Sequence, residues 1–192
     1  MKRLGAFEVT TPTPFEIAFR RIYGVSRSLL FDAWTRVEHV QQWWDPRGIV
    51  LAACEIDLRI GGRFRFVNQP MGRVAHEFDG TYLEILRPAR LVFRTRSPAS
   101  VGTLSFERIR ASETELRMSI ECTSTEERDA LLRLGFVEGT KRTLQNLEDH
   151  VRPNGRANGG CAEPRNETNA EGERSTAAPK ADQFPEGPND RT

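Results

Sequence analysis

Apolar and polar residues alternate with a period of two through much of the chain between Phe15 and Thr123, which is the signature of half-buried strands. Ile17, Phe19 and Tyr23 stand against Ala18, Arg20 and Ile22. Cys54, Ile56 and Leu58 stand against Glu55, Asp57 and Arg59, and Phe64 and Phe66 against Arg63 and Arg65. Further strands are predicted over 77–86, 90–95, 103–109 and 115–123. In the last, Leu116, Met118, Ile120 and Cys122 alternate with Arg117, Ser119, Glu121 and Thr123. Gly61-Gly62, Pro70-Met71-Gly72, Arg87-Pro88 and Ala111-Ser112 supply turns between them. Seven such strands predict one antiparallel sheet, apolar on one face and charged on the other.

The periodicity switches to helical in two places. Ser26 is placed to cap a short helix carrying Leu29, Leu30, Ala33 and Trp34, and Thr35-Arg36-Val37-Glu38 reads as a capping box for a second, ending near Trp43-Trp44 before Pro46. Ser124-Thr125-Glu126-Glu127 is a further capping box. It predicts a C-terminal helix of about 26 residues, on the order of 39 Å long. Val137, Thr140, Leu144, Leu147 and Val151 form its buried stripe. An apolar sheet face needs cover, and this helix is the long element available, so the order predicts an α+β helix-grip fold: a curved sheet wrapped on its C-terminal helix, with two short helices after the first strand.

Composition sets the boundaries. From Arg152 to Thr192 the chain holds five of its eleven prolines, and Phe184 is the sole residue there among Val, Ile, Leu, Met, Phe and Trp. So little apolar surface does not offset ordering entropy, and residues 152–192 read as a disordered tail, with 1–14 as a flexible N-terminus and 15–151 as the folded domain. The sequon at Asn166 falls in that tail. The net charge of +1 supplies no general attraction to nucleic acid or anionic membrane. No apolar run is long enough to span a bilayer, and no secretory signal is read. Three cysteines, Cys54, Cys122 and Cys161, make no C-x-x-C pair, which fits a reducing cytoplasm.

Several motifs together resemble one family. They are Phe31-Asp32-Ala33-Trp34-Thr35, Glu38, Trp43-Trp44-Asp45-Pro46, Asp57-Leu58-Arg59-Ile60-Gly61-Gly62-Arg63-Phe64, Gly80-Thr81-Tyr82-Leu83-Glu84-Ile85-Leu86, and Pro88-Ala89-Arg90-Leu91-Val92-Phe93. The stretch from about Phe15 to Val151 resembles the activator of heat-shock-protein-90 ATPase homologue-like proteins, in the START-like (SRPBCC, birch-pollen-allergen-like) superfamily. The resemblance implies a deep apolar cavity between sheet and long helix, with a mouth near Trp43-Trp44, and a bound ligand whose identity it leaves open; the expectation drawn from the residues is a small apolar or aromatic molecule, without a cofactor. The co-chaperone members carry an extra N-terminal domain, for which the roughly 15 residues before the first strand leave no room.

The strand phases point Cys54, Phe64, Phe66, Phe78, Tyr82, Phe93, Phe106 and Met118 inward. Across from them the predicted helix carries Gly135 and Gly139, four residues apart, near Phe136, Thr140 and Thr143. Glycine inside a helix costs about 1 kcal/mol relative to alanine. The two glycines either leave room for a ligand or allow close helix–sheet packing. Trp43 and Trp44 divide similarly between gate and core, and Tyr82 between a hydroxyl for the ligand and one bonded to backbone. The candidate ligand-binding set is therefore Trp43, Trp44, Cys54, Phe64, Phe66, Phe78, Tyr82, Phe93, Phe106, Met118, Phe136, Gly139, Thr140 and Thr143, with entry near Trp43-Trp44 and the turn from Asn68 to Met71.

Acid–base and metal chemistry is sparse. His39, His76 and His150 have no metal-ligand spacing with each other or with the cysteines, so no metal is expected. Spacing alone leaves open a Cys54–His76 nucleophile pair, although a buried strand cysteine is usually inert. Asp57, Arg59 and Arg63 around Gly61-Gly62 read as a salt-bridged corner or an anion site, and Glu77 with Asp79 as solvated charge. Arg20, Arg63, Arg65, Arg94, Arg108 and Arg117 are dispersed among acids, so no nucleic-acid stripe is read. The leading expectation is a non-catalytic ligand-binding domain, monomeric or weakly dimeric. The alternatives are a stress-response interaction module of the chaperone-activator type, using the outer sheet face, and a cyclase- or hydrolase-type enzyme using the cavity, with Glu84 as its acid or base.

Overall fold

The computed structural model describes residues 4–45, 51–68 and 76–152. The elements run β1 (Phe7–Thr10), β2 (Glu16–Tyr23), α1 (Arg27–Thr35), α2 (Val37–Trp43), β3 (Ala53–Ile56), β4 (Arg63–Asn68), β5 (His76–Leu86), β6 (Arg90–Thr95), β7 (Ser100–Arg110), β8 (Glu113–Cys122), α3 (Thr125–Arg133) and α4 (Phe136–Val151). All eight strands join one antiparallel sheet in the order β1-β2-β8-β7-β6-β5-β4-β3. The expected α+β helix-grip architecture is what the chain adopts.

The eighth strand corrects the N-terminal boundary. Residues 7–10, expected to be flexible, pair with β2 in the register Phe7↔Arg21 to Thr10↔Ala18. The alternation there is real but only four residues long, and tertiary partners make it count. Phe7 packs its ring 5.8 Å from Phe19, and Glu8 accepts from Arg20 at 2.7 Å. The predicted tail beyond residue 152 lies outside the described residues, as do Pro46 and the turn at 69–72.

Strand phase is as the alternation reads in β4, β6 and β8, and in β5 as far as Tyr82. Phe64, Phe66, Tyr82, Phe93, Phe106 and Met118 are buried in one core with Ile17, Phe19 and Tyr23, and Cys54 and Phe78 pack against it. The opposite face is a lattice of ion pairs. Arg20 meets Glu115 at 2.6 Å, Arg65 meets Glu77 at 2.7 Å, Arg117 meets Glu107 at 3.1 Å, and Asp79 accepts Arg96 at 3.0 Å. At the β3–β4 corner Arg59 pairs with Asp57 at 2.8 Å, while Gly61 takes φ 79° and Gly62 lies so close that a Cβ would meet the Asp57 carbonyl at 2.1 Å.

Two helical expectations change. Thr35 does not cap α2: its Oγ1 donates to the Phe31 carbonyl at 2.9 Å, and Arg36 takes the cap position without a side-chain bond. Ser26 does cap α1, its hydroxyl accepting from the Leu29 N–H at 3.3 Å. The single C-terminal helix of about 26 residues is instead two, broken where Gly135 adopts a left-handed φ of 79°. A left-handed glycine just past a helix is a common stop signal. Leu134, just before it, is 83% exposed, and α4 begins immediately after it at Phe136. Gly135 therefore shares no helix face with Gly139.

α4 then delivers the expected stripe: Leu144, Leu147 and Val151 are buried, and Val137 packs on the core. Polar contacts fix its position. The Tyr23 hydroxyl donates to the Leu144 carbonyl at 3.2 Å, and Asn146 donates to the Asp45 carbonyl at 2.7 Å. Arg21, on the inward phase of β2 and 4% exposed, pairs with Glu148 and also donates to Gln145 at 2.6 Å.

Candidate functional site

The space between sheet and helix divides into a filled part and an open part. Under β4, β5 and β6 the aromatic rings pack on one another. Phe64 lies 5.2 Å from Tyr82 and 5.5 Å from Phe93, and Trp44 lies 4.7 Å from Phe66 and 5.1 Å from Phe78. Only about 20 Å³ remains among them, room for about one water. Burial pushes the Tyr82 phenol well above its ordinary pKa, so the hydroxyl stays protonated.

The open part lies against α4. A recess of about 250 Å³ is walled on the sheet side by Phe78, Phe93, Met118 and Ile120, and at one end by Trp34 and Trp44. The helix contributes Phe136, Gly139, Thr140, Thr143 and Leu144. A Cβ placed on Gly139 would meet nothing within 4 Å, so this glycine borders open space instead of allowing close packing. Thr143 Oγ1 donates to the Trp44 carbonyl at 3.3 Å, tying the helix to the tryptophan end. Phe136 closes the other side against Phe19, with ring centroids 5.8 Å apart.

Eight of the fourteen candidates thus border the recess: Trp44, Phe78, Phe93, Met118, Phe136, Gly139, Thr140 and Thr143. Phe64, Phe66 and Tyr82 border the small void instead. Trp43 is 1% exposed, and its Nε1 donates to the Ala33 carbonyl at 2.9 Å, the bond of a core residue. Phe106 stacks edge-on to Phe31 at 5.4 Å, and Cys54 sits on the short strand β3; neither borders the recess or the void. Trp34, Ile120 and Leu144 border the recess without having been singled out in the sequence. The alternation had placed Ile120 inward, and the α1 and α4 stripes had marked the other two.

The remaining chemical candidates separate. A register shift between Tyr82 and Glu84 passes the inward position to Ile85, so Glu84 does not share the phase of Tyr82. Its side chain is half-exposed and pairs with Arg90 at 3.3 Å. Burial, with Glu55 nearby, pushes the Cys54 thiol up to about 11, and no hydrogen bond joins it to His76 among the described residues. His39 and His150, distant in sequence, come together with Nδ1 and Nε2 2.9 Å apart. Burial and the facing His39 lower the His150 pKa. No cluster of three or more metal-ligating side chains occurs among the described residues, and no helix there is long and apolar enough to cross a membrane.

Comparison with known proteins places this geometry. A family model described as Activator of Hsp90 ATPase homolog 1-like protein matches residues 24–152. A crystal structure from Rhodobacter sphaeroides is similar at 22% identity and TM-score 0.69, covering 74% of this chain and 95% of that one. One from Nitrosomonas europaea has 21% identity and TM-score 0.67, covering 73% and 96%. A third, from Mycobacterium smegmatis, has 14% identity and TM-score 0.64, covering 73% and 96%. At these identities the likeness shows the START-like fold. No curated protein matches the chain.

Proposed function

The chain belongs to the Activator of Hsp90 ATPase homolog 1-like family, and on that premise we propose that it binds a small hydrophobic or aromatic molecule in the recess between α4 and the sheet, without turning it over. The observation that carries the reading is the recess itself: about 250 Å³ beside a helix glycine, bordered by six aromatic or aliphatic side chains of sheet and tryptophan wall and, among the described residues, no charged one. Apolar concave space with a few polar atoms is how small-molecule sites are built. Burial at about 25 cal/mol per Å² supplies the affinity. Among the described residues the border offers threonine hydroxyls but no carboxylate or imidazole, which supports binding over acid–base turnover.

Native mass spectrometry of the protein from its own cells tests this, together with an NMR titration with ethylbenzene. A discrete adduct released on denaturation is expected, as are ethylbenzene-induced shifts of the Met118 and Ile120 methyl signals. Absence of both rejects the reading. Stimulation of a chaperone ATPase remains the family-based alternative. It predicts raised ATP turnover by the chaperone, undiminished when the recess is blocked.

A further inference from the structure

One residue that borders this recess carries a buried donor with no hydrogen-bond partner among the described residues. Trp34, on α1, is 8% exposed and borders both the recess and the small void beside it. Its ring is fixed edge-on to Trp43 at 4.7 Å and to Trp44 at 6.1 Å. Its Nε1 is buried without a hydrogen-bond partner. The contrast with Trp43 is direct, since that indole donates to the Ala33 carbonyl at 2.9 Å. Arg20 and Arg21 also carry a buried unpartnered Nε, but each engages carboxylates through its other guanidinium nitrogens. An indole has a single donor, so Trp34 has nothing else to satisfy it.

Leaving a buried donor unpaired is costly, and natural structures do so rarely. Nothing in the packing of α1 requires this cost at position 34, because burying the ring requires no N–H. The cost is recovered if an occupant of the recess presents an acceptor to Nε1 as the side chains that cover it give way. The same lining restricts what kind of occupant that is. Among the described residues none of the bordering side chains is charged, so a carboxylate or phosphate there would be desolvated without compensation. Thr140 and Thr143 lie on the helix side, and the Thr143 proton is already directed at the Trp44 carbonyl.

We propose that Trp34 is the specificity-determining donor of the recess, its Nε1–H binding the acceptor oxygen of a neutral, largely apolar ligand of the ketone, ester or aryl ether class. The proposal rests on the recess reading above and adds to it the chemistry of the one polar atom the ligand must carry. A hydrophobic pocket without a donor prefers a hydrocarbon to the ketone of the same shape, because the ketone gives up its bonds to water. A pocket with an orphaned donor reverses that preference, since the unpaired N–H penalises the ligand lacking an acceptor.

Acetophenone and ethylbenzene are the matched pair that tests this, titrated into the full chain carrying 15N-labelled tryptophan. Acetophenone is expected to bind at least as tightly as ethylbenzene and to move the Trp34 indole proton downfield, while ethylbenzene leaves that proton in place. In Trp34→Phe, acetophenone is expected to lose at least tenfold and ethylbenzene less than threefold. The unsubstituted chain decides the matter alone if that variant does not fold. Weaker binding of acetophenone than of ethylbenzene, or an unmoved Trp34 signal, overturns the role of Trp34 and leaves the recess reading standing. Binding of neither compound overturns the role of Trp34 and, where no cellular adduct is found either, the recess reading as well.

Discussion

Two glycines four residues apart should respond to alanine with opposite signs. Gly139 lies in the first half of α4 with helical backbone, and a Cβ there meets nothing within 4 Å. Gly139→Ala therefore removes the helix penalty of glycine without a clash, stabilising by about 1 kcal/mol, or roughly 4 °C in Tm for a domain of this size. Gly135 also has open space around its would-be Cβ, but its φ is 79°. A side chain in the left-handed region costs about 1–2 kcal/mol, so Gly135→Ala should destabilise by that amount. Urea unfolding of both variants separates them by about 2–3 kcal/mol. A continuous helix, as the sequence periodicity suggests, would instead make both substitutions stabilising, and that result would refute the break at Gly135. Gly139→Leu carries the argument to binding. Leucine is a good helix former, and its four side-chain carbons enter the recess, so stability should hold while ethylbenzene affinity falls at least tenfold. A stable Gly139→Leu protein that binds ethylbenzene within twofold of the original would show that the recess is not where the ligand sits.

The Arg21–Glu148 pair should be expensive to halve and cheap to replace. Arg21→Met is expected to cost about 2–4 kcal/mol in urea unfolding, softened because Arg152 still reaches Glu148 at 2.8 Å, whereas Arg21→Met with Glu148→Leu should recover most of that loss; a double variant as unstable as the single one refutes the reading. Acid should act in two windows. Burial and the facing His39 hold His150 below 6.5, so the unfolded chain takes up that proton first and stability falls as pH drops from about 6.5, a step that should shrink in His150→Gln. Burial alone would raise Glu148, but hydrogen bonds from Arg152 and Arg21 outweigh it and leave its pKa below the ordinary carboxylate value, so its contribution persists above that value and disappears only as pH falls through the lowered pKa. Cys54, with its thiol pushed up to about 11, should alkylate with iodoacetamide at pH 8 at least tenfold more slowly than free cysteine; equal rates would contradict its burial.

Much of the architecture was legible because period and phase are local properties. The alternation in β4 and β8 already separates Phe64, Phe66, Met118 and Ile120 from Arg65, Arg117 and Glu121, and burial follows that division. Gly139 was legible as an anomaly, a helix position where the chain accepts a cost. What failed had its cause elsewhere. Four residues of alternation at 7–10 are too few to predict a strand until β2 is known to have a free edge. Glu84 carried the right residue type for chemistry, and one extra residue in β5 moved it to the outer face.

Arg21 and Trp34 show the same limit from the side of function. By phase, Arg21 belongs to the interior of the sheet, where an unpaired cation is intolerable. The sequence therefore requires a partner there, but it does not say that the partner is Glu148, 127 positions later on a different element. The structure supplies that partner, and the buried charge becomes part of what holds α4 to β2. For Trp34 the same reasoning runs to the opposite result. Its N–H also requires a partner, and the described fold brings none to it, although the neighbouring Trp43 finds one within the same helix pair. A chain that satisfies a cation across 127 positions yet leaves a buried neutral donor unpaired, on a residue that borders an open recess, has met the requirements of folding at one site and left one unmet at the other. The recess is where a ligand acceptor would meet it, and for that reason Trp34, more than any buried phenylalanine around it, should decide which apolar molecules the domain retains.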